Sequence, residues 1–152
     1  LKGVLDQLKV KKAHLVGSSL GGWIAWEFAL TYPKIAQRLG LIGSAGFLSR
    51  RNVPEPFKLA VIPFAGAMVQ YIVTKERVQH FVSQVFSDQS KIKPAMLDRY
   101  YDLFACDGNP EAFVHLVNQR FKDNTSHLKE IKNKTLVMWG EDDQWLPLNN
   151  AV

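Results

Sequence analysis

The chain has 152 residues, 47% hydrophobic and 22% charged, a balance that excludes a disordered or fibrous protein and suits one globular domain with a sizeable core. Its net charge of +5 comes from scattered basic residues (Lys9, Lys11 and Lys12; Arg50 and Arg51; Lys129, Lys132 and Lys134) with no nucleic-acid motif beside them. They read as a solvated surface, and no nucleic-acid partner is expected. The single cysteine, Cys106, excludes a disulfide framework and a cysteine zinc site, and reads as a small apolar core residue.

Leu1, Val4, Leu5 and Leu8 repeat at helical spacing, so the opening segment reads as the end of an amphipathic helix. Opening inside that pattern, and closing on a helix just begun at 148–152, the chain reads as an internal piece of a longer protein. Its location is left open between cytoplasm and membrane surface, and its oligomeric state is left open too. After Lys11 and Lys12, Ala13-His14-Leu15-Val16 is an apolar run ending at Gly17, the pattern of a buried strand. A turn of small residues follows at 18–22. Leu20, Ile24 and Phe28 then repeat every four, which predicts a helix that Pro33 ends.

Leu39-Gly40-Leu41-Ile42 is a second apolar strand, closing in Gly43-Ser44-Ala45-Gly46, and Thr135-Leu136-Val137-Met138-Trp139 is a third, closing at Gly140. The expected strands are 13–17, 38–43 and 135–139. Near-continuous apolar strands alternating with helices predict an α/β fold: a parallel sheet with helices on both faces. Ligands of such sheets bind outside the carboxyl ends of the strands, where all three runs exit into small residues.

The stretch between the second and third strands is far longer than a crossover helix with loops of about 2–6 residues requires. Apolar segments at 57–73, 76–86, 96–104 and 110–121 give it helical character, with Pro110 suited to a first helical turn. The expected organisation is a core at 1–49, a helical cap insertion at 50–128, and a return to the core at 129–152. Segment 57–73 carries Lys58, Pro63 and Gly66 and falls short of the roughly 20 apolar residues that span a membrane. It reads as a buried cap helix, the alternative being shallow peripheral contact with a bilayer or a lipid substrate.

The chemistry concentrates in Gly17-Ser18-Ser19-Leu20-Gly21-Gly22, where Gly17, Ser19 and Gly21 match the G-x-S-x-G nucleophile elbow. A serine on a sharp strand-to-helix turn sits on strained backbone, and glycine on both flanks is expected to supply the missing bulk. The serine oxygen then stands exposed. The Leu20 N–H faces the place where an oxyanion would develop, with the positive end of the helix dipole behind it. Three fixed positions are a weak signal alone; the strand before and the helix after sharpen it. The bland alternative is a tight turn without catalysis.

The third strand ends in Trp139-Gly140-Glu141-Asp142-Asp143-Gln144-Trp145-Leu146-Pro147. Together with the elbow, the Gly-x-x-Asp formed by Gly140 and Asp143 and the following Pro147 resemble the α/β-hydrolase family. The resemblance runs over nearly the whole chain, and its helical cap is similar to the branch of monoacylglycerol lipases, carboxylesterases and carbon–carbon bond hydrolases. It implies a Ser, Asp, His triad in that chain order, with Ser19 as nucleophile, Asp143 as the acid that orients the histidine, and Leu20 in the oxyanion hole. Asp142 is the runner-up acid and Glu141 a solvated loop charge; an acidic metal loop is the plain alternative, weak without further ligands. His14, His80, His115 and His127 all precede the acid, so the catalytic histidine is expected beyond Val152. A serine at position 19 separates the chain from the dehalogenases and epoxide hydrolases of the fold, which place an aspartate there.

The leading expectation is therefore a serine hydrolase that cleaves carboxylic esters of lipophilic substrates, acylglycerols among them, through an acyl-enzyme. No cofactor and no metal are required. A carbon–carbon bond hydrolase or a perhydrolase on the same triad is the alternative within enzymes, and a non-catalytic ligand receptor the alternative outside them.

Overall fold

The computed structural model describes residues 1–47, 55–61, 74–119 and 121–151. The expected segment 57–73 falls largely outside them. The chain divides into two compact units, Leu1–Leu48 with Lys122–Val152, and Ser49–Phe121.

The first unit runs α1 (Lys2–Gln7), β1 (Ala13–Ser19), α2 (Leu20–Thr31) and β2 (Ala36–Ser44), and resumes with a 3-10 turn at Thr125–Glu130 and β3 (Lys134–Met138). The three strands form one parallel sheet in the order β1-β2-β3. Leu15 pairs with Leu39 and Leu39 with Thr135, while Val16 pairs with Gly40 and Gly40 with Leu136. The period of two therefore places Leu15 and Leu39 on one face and Val16 and Leu136 on the other. Each strand lies within two residues of its expected span, β1 running on to Ser19 itself.

The core lies on the face covered by α2, where Leu15, Ala25, Trp26, Phe28, Ala29, Ala36 and Leu39 are buried together. Trp26 is 1% exposed; burying a side chain of that size contributes on the order of 3 kcal/mol. The helix was expected from Leu20, Ile24 and Phe28, yet Leu20 and Ile24 are exposed, and the buried residues are Gly22, Ala25, Trp26, Phe28 and Ala29. The reason is steric. Gly22, Ala25 and Ala29 have little side chain to hold helix and sheet apart, and α2 is so apolar all round that periodicity alone does not select the packed side. On the opposite face Val16 is 73% and Leu136 60% exposed, with Ile42 and Met138 exposed beside them.

The second unit contains α3 (Glu55–Ala60), α4 (Lys75–Gln84), α5 (Pro94–Ala105) and α6 (Asn109–Val117). Thr74 caps α4 by accepting from the Arg77 N–H, and Val78 and Val82, one turn apart, form its buried stripe. Pro94 and Pro110 both fall in first helical turns, where a missing N–H costs nothing. Phe113 meets Phe57 and Phe104 edge-on at 5.3 and 5.7 Å, and the Asn118 amide donates to the Ala60 carbonyl, so α3, α5 and α6 pack around an aromatic cluster. Cys106 corrects the sequence reading. It is exposed just past the end of α5, its thiol donating to the Asp102 carbonyl. A helix end leaves unpaired carbonyls that a weak S–H donor can reach, and this won over burial. Among the described residues no helix is long and apolar enough to cross a membrane.

Candidate active site

Ser19 ends β1 and caps α2, with φ 51° and ψ −119°. For a residue with a Cβ this backbone is strained by about 1–3 kcal/mol. The strain follows from the geometry of the turn, since a strand converts to a helix between residues 19 and 20 with no loop to spread the change. The Ser19 hydroxyl makes no capping bond to α2 and the residue is exposed, so its oxygen is available to a ligand. Leu20 opens α2, and first-turn N–H groups have no acceptor within a helix, which leaves them to a developing anion.

The glycines around Ser19 have unequal roles. A Cβ on Gly17 would stand 2.2 Å from the Gly21 carbonyl oxygen and 2.6 Å from the Gly22 nitrogen. A Cβ on Gly21 would meet nothing within 4 Å. The expectation that both flanks must lack bulk is thus corrected: the crowding is between the backbone at 21–22 and position 17. Gly22 is needed for another reason, because its Cβ would press into Ser44 at 2.7–3.0 Å and push α2 off β2. Ser18 is exposed in β1 on the face of Val16.

Asp143 lies in the loop after β3, at the same carboxyl edge of the sheet as Ser19. Its Oδ1 accepts the N–H groups of Trp145 at 2.9 Å and Leu146 at 2.8 Å, and its own N–H donates to the Gly140 carbonyl. The Trp139 indole N–H donates to the Leu146 carbonyl and closes the same loop. With Oδ1 so occupied, Oδ2 is turned toward Gly43 and would lie 3.4 Å from a Cβ there. Gly43 itself has φ 46°, a conformation glycine adopts without cost. Asp142 and Glu141 are exposed with no such anchoring bonds described. Of the three acids, Asp143 is the one the fold orients.

The segment that follows β2 borders both candidates. Ser44 is the register partner of Ser19, and the Ala45 N–H donates to the Ser19 carbonyl at 2.9 Å. The Ala45 carbonyl in turn accepts from the Trp26 indole at 3.2 Å and the Ser44 hydroxyl at 3.0 Å. The sequence marked 43–46 only as a small-residue exit; Gly43 and Gly46 were the signal that this exit is closely packed. Among the histidines of this unit, His14 is exposed in β1 and His127, in the 3-10 turn before β3, contacts Glu130 at 2.8 Å. His80 and His115 are exposed on α4 and α6 of the second unit. No cluster of three or more His, Cys, Asp or Glu that could hold a metal occurs among the described residues.

A family model described as alpha/beta hydrolase fold matches residues 1–152. The chain belongs to the α/β hydrolase fold family. Among curated α/β hydrolase relatives, a 2-hydroxy-6-oxo-6-phenylhexa-2,4-dienoate hydrolase of Comamonas testosteroni is 34% identical over 100% of this chain and 54% of its own length. A 2-hydroxy-6-oxononadienedioate/2-hydroxy-6-oxononatrienedioate hydrolase of Paraburkholderia phymatum is 34% identical over 98% of this chain and 52% of its own. A solved meta-cleavage product hydrolase of Pseudomonas fluorescens superposes with a TM-score of 0.74 at 24% identity, covering 97% of this chain and 53% of that one. The chain spans about half the length of the relatives it matches.

Proposed function

We propose that the protein is a serine hydrolase that cleaves a carbon–carbon bond beside a ketone in 2-hydroxy-6-oxo-dienoate-type substrates. The observation that carries the catalytic part is Ser19: a strained, exposed serine at the head of a helix, at the same sheet edge as the anchored carboxylate of Asp143. The substrate class rests on the relatives, which are named for 2-hydroxy-6-oxo-dienoates and the corresponding dienedioates and trienedioates. Those compounds contain no ester or amide, so the bond that water can break is one beside a carbonyl.

In this reading a histidine, placed after the acid by the family's chain order, takes the Ser19 proton as the oxygen attacks the C6 ketone. The Leu20 N–H and the head of α2 stabilise the oxyanion. Before that attack the substrate ketonises, its C2 hydroxyl proton moving to C5. When the C5–C6 bond breaks, its electron pair is therefore delocalised onto the C2 oxygen as a dienolate, and the histidine returns the proton to that oxygen to give the dienol. Water releases the acid from Ser19. Asp143 holds the histidine in the required tautomer. The apolar segments of the insertion at 50–128 suit a substrate that carries a phenyl or alkyl group on C6.

The test uses the intact protein and 2-hydroxy-6-oxo-6-phenylhexa-2,4-dienoate. The dienoate absorbance should decay, with benzoate and 2-hydroxypenta-2,4-dienoate formed one to one, and Ser19→Ala should stop turnover. Turnover confined to p-nitrophenyl esters, peaking at medium acyl chains, would replace this substrate class with lipophilic esters. Turnover that survives Ser19→Ala would remove the serine mechanism.

A further inference from the structure

The backbone of Ala45 is held on both sides of its Cα. Its N–H binds the Ser19 carbonyl, and its carbonyl receives two donors, the Trp26 indole at 3.2 Å and the Ser44 hydroxyl at 3.0 Å. Both donors are fixed: Trp26 is 1% and Ser44 2% exposed. Beyond Ala45, Gly46 has φ 113°, and a Cβ on it would overlap Trp26 Cζ2 at 2.5 Å and stand 3.0 Å from the Trp23 ring. The two indoles are stacked, centroids 6.5 Å apart. The backbone at 45–46 is thus pressed flat against a rigid aromatic wall on α2, the helix that Ser19 caps. At the other end of the segment, Gly43 faces the Asp143 carboxylate.

A strained residue keeps its conformation only where its surroundings over-determine it. For Ser19 the required constraint is on its carbonyl, since ψ −119° fixes where that oxygen points. We propose that Trp26 and Ser44 are positioning residues for Ser19: by clamping the Ala45 carbonyl they fix the Ala45 N–H, which holds the Ser19 peptide in its catalytic conformation. The segment 43–45 so fixed is also the reference against which Asp143 is seated. Trp26 touches no substrate in this scheme and acts through the Ala45 backbone alone.

The inference rests on Ser19 being the nucleophile, and the experiment separates the two. In the intact protein, Trp26→Phe keeps an aromatic ring and removes the N–H donor; Ser44→Ala removes the other donor with less loss of volume. Each leaves the Ala45 carbonyl one partner, so each variant is expected to fold. The measurement is the rate constant and the final extent of Ser19 labelling by a fluorophosphonate, with Ser19→Ala as control. Loss of one neutral hydrogen bond is expected to slow labelling about fivefold in each variant. Labelling should still go to completion, and kcat should fall with KM unchanged. The double variant, with the carbonyl orphaned, should be slower than the product of the two effects. A merely structural role would instead lower the final extent while the labelled fraction reacts at the wild-type rate; that result in Ser44→Ala overturns the proposal, even if Trp26→Phe fails to fold. Labelling that persists in Ser19→Ala overturns the nucleophile assignment instead.

Discussion

Position 17 and the Gly21 carbonyl approach so closely that a single methyl on the former would fall 2.2 Å from the oxygen of the latter. Gly17→Ala must therefore move backbone, not a side chain, and should destabilise the chain by about 3 kcal/mol or more. Gly21 lies in α2 with open space beside it. Gly21→Ala should stabilise by about 0.5–1 kcal/mol through helix propensity. Thermal melts of the two variants check the contrast, and equal destabilisation would refute the unequal roles of the two glycines.

Asp143 and Asp142 are neighbours in sequence, but it is Asp143 whose carboxylate accepts the loop N–H groups of Trp145 and Leu146. Asp143→Asn retains an oxygen able to accept the Trp145 and Leu146 N–H groups, so the loop should fold as before. It places an amide where Oδ2 would orient a histidine, and should lower kcat roughly ten-thousand-fold. Asp142→Asn should stay within about threefold of wild type, as a charge change at an exposed, unanchored loop position. Steady-state turnover of the intact variants decides it: a larger loss at Asp142 would transfer the acid role there.

Glu27 ties the return segment to α2. Its carboxylate receives the Asn124 amide at 3.1 and 3.0 Å and the Trp23 indole at 3.3 Å. Glu27→Ala and Asn124→Ala should each destabilise by about 1–2 kcal/mol, and the double variant by less than their sum, with a coupling of about 1 kcal/mol. Denaturant titrations of the cycle measure this, and strict additivity would show that the bond contributes nothing.

Asp123 enters the same return segment. The Thr125 hydroxyl and N–H, both donating to its carboxylate, hold its pKa below the ordinary value of 3.8. A depressed carboxyl contributes stability that is complete above its unfolded pKa and is lost as pH falls through its folded one. The acid limb of the stability curve below pH 3.8 should therefore flatten in Asp123→Asn, with the neutral-pH stability little changed because the group is fully exposed. Melting temperatures taken from pH 5 to pH 2 in both proteins provide the check; parallel acid limbs would contradict it.

Those parts of the fold that obey local rules were readable in the sequence. The apolar runs ending at Gly17, Gly43 and Gly140 marked three parallel strands because short, near-continuous apolar runs closed by small residues are the local pattern of such strands, whichever face is packed. The strained turn at Ser19 was readable for the same local reason. What was not readable depends on contacts between distant residues. Nothing in the spacing of α2 announces that Trp26 reaches Ala45, nor that Ile24 is exposed while Ala25 is packed. The role assigned to Gly21 failed because the motif shows which positions are small, not which atoms crowd them. Cys106 was misplaced because its composition argued for burial while its position, one residue past a helix end, decided otherwise.

The conformation of Ser19 has a thermodynamic consequence. At φ 51° and ψ −119° a side chain is carried at a loss that glycine would not incur. Even after the extra entropy glycine gives up on folding, Ser19→Gly should raise the unfolding free energy by about 1 kcal/mol. The chain would then be more stable in a form without the Ser19 hydroxyl. On the role proposed for Ser19, any screen that rewards thermal tolerance alone would drive this position toward inactivity, and selection for that role would act against the folding equilibrium.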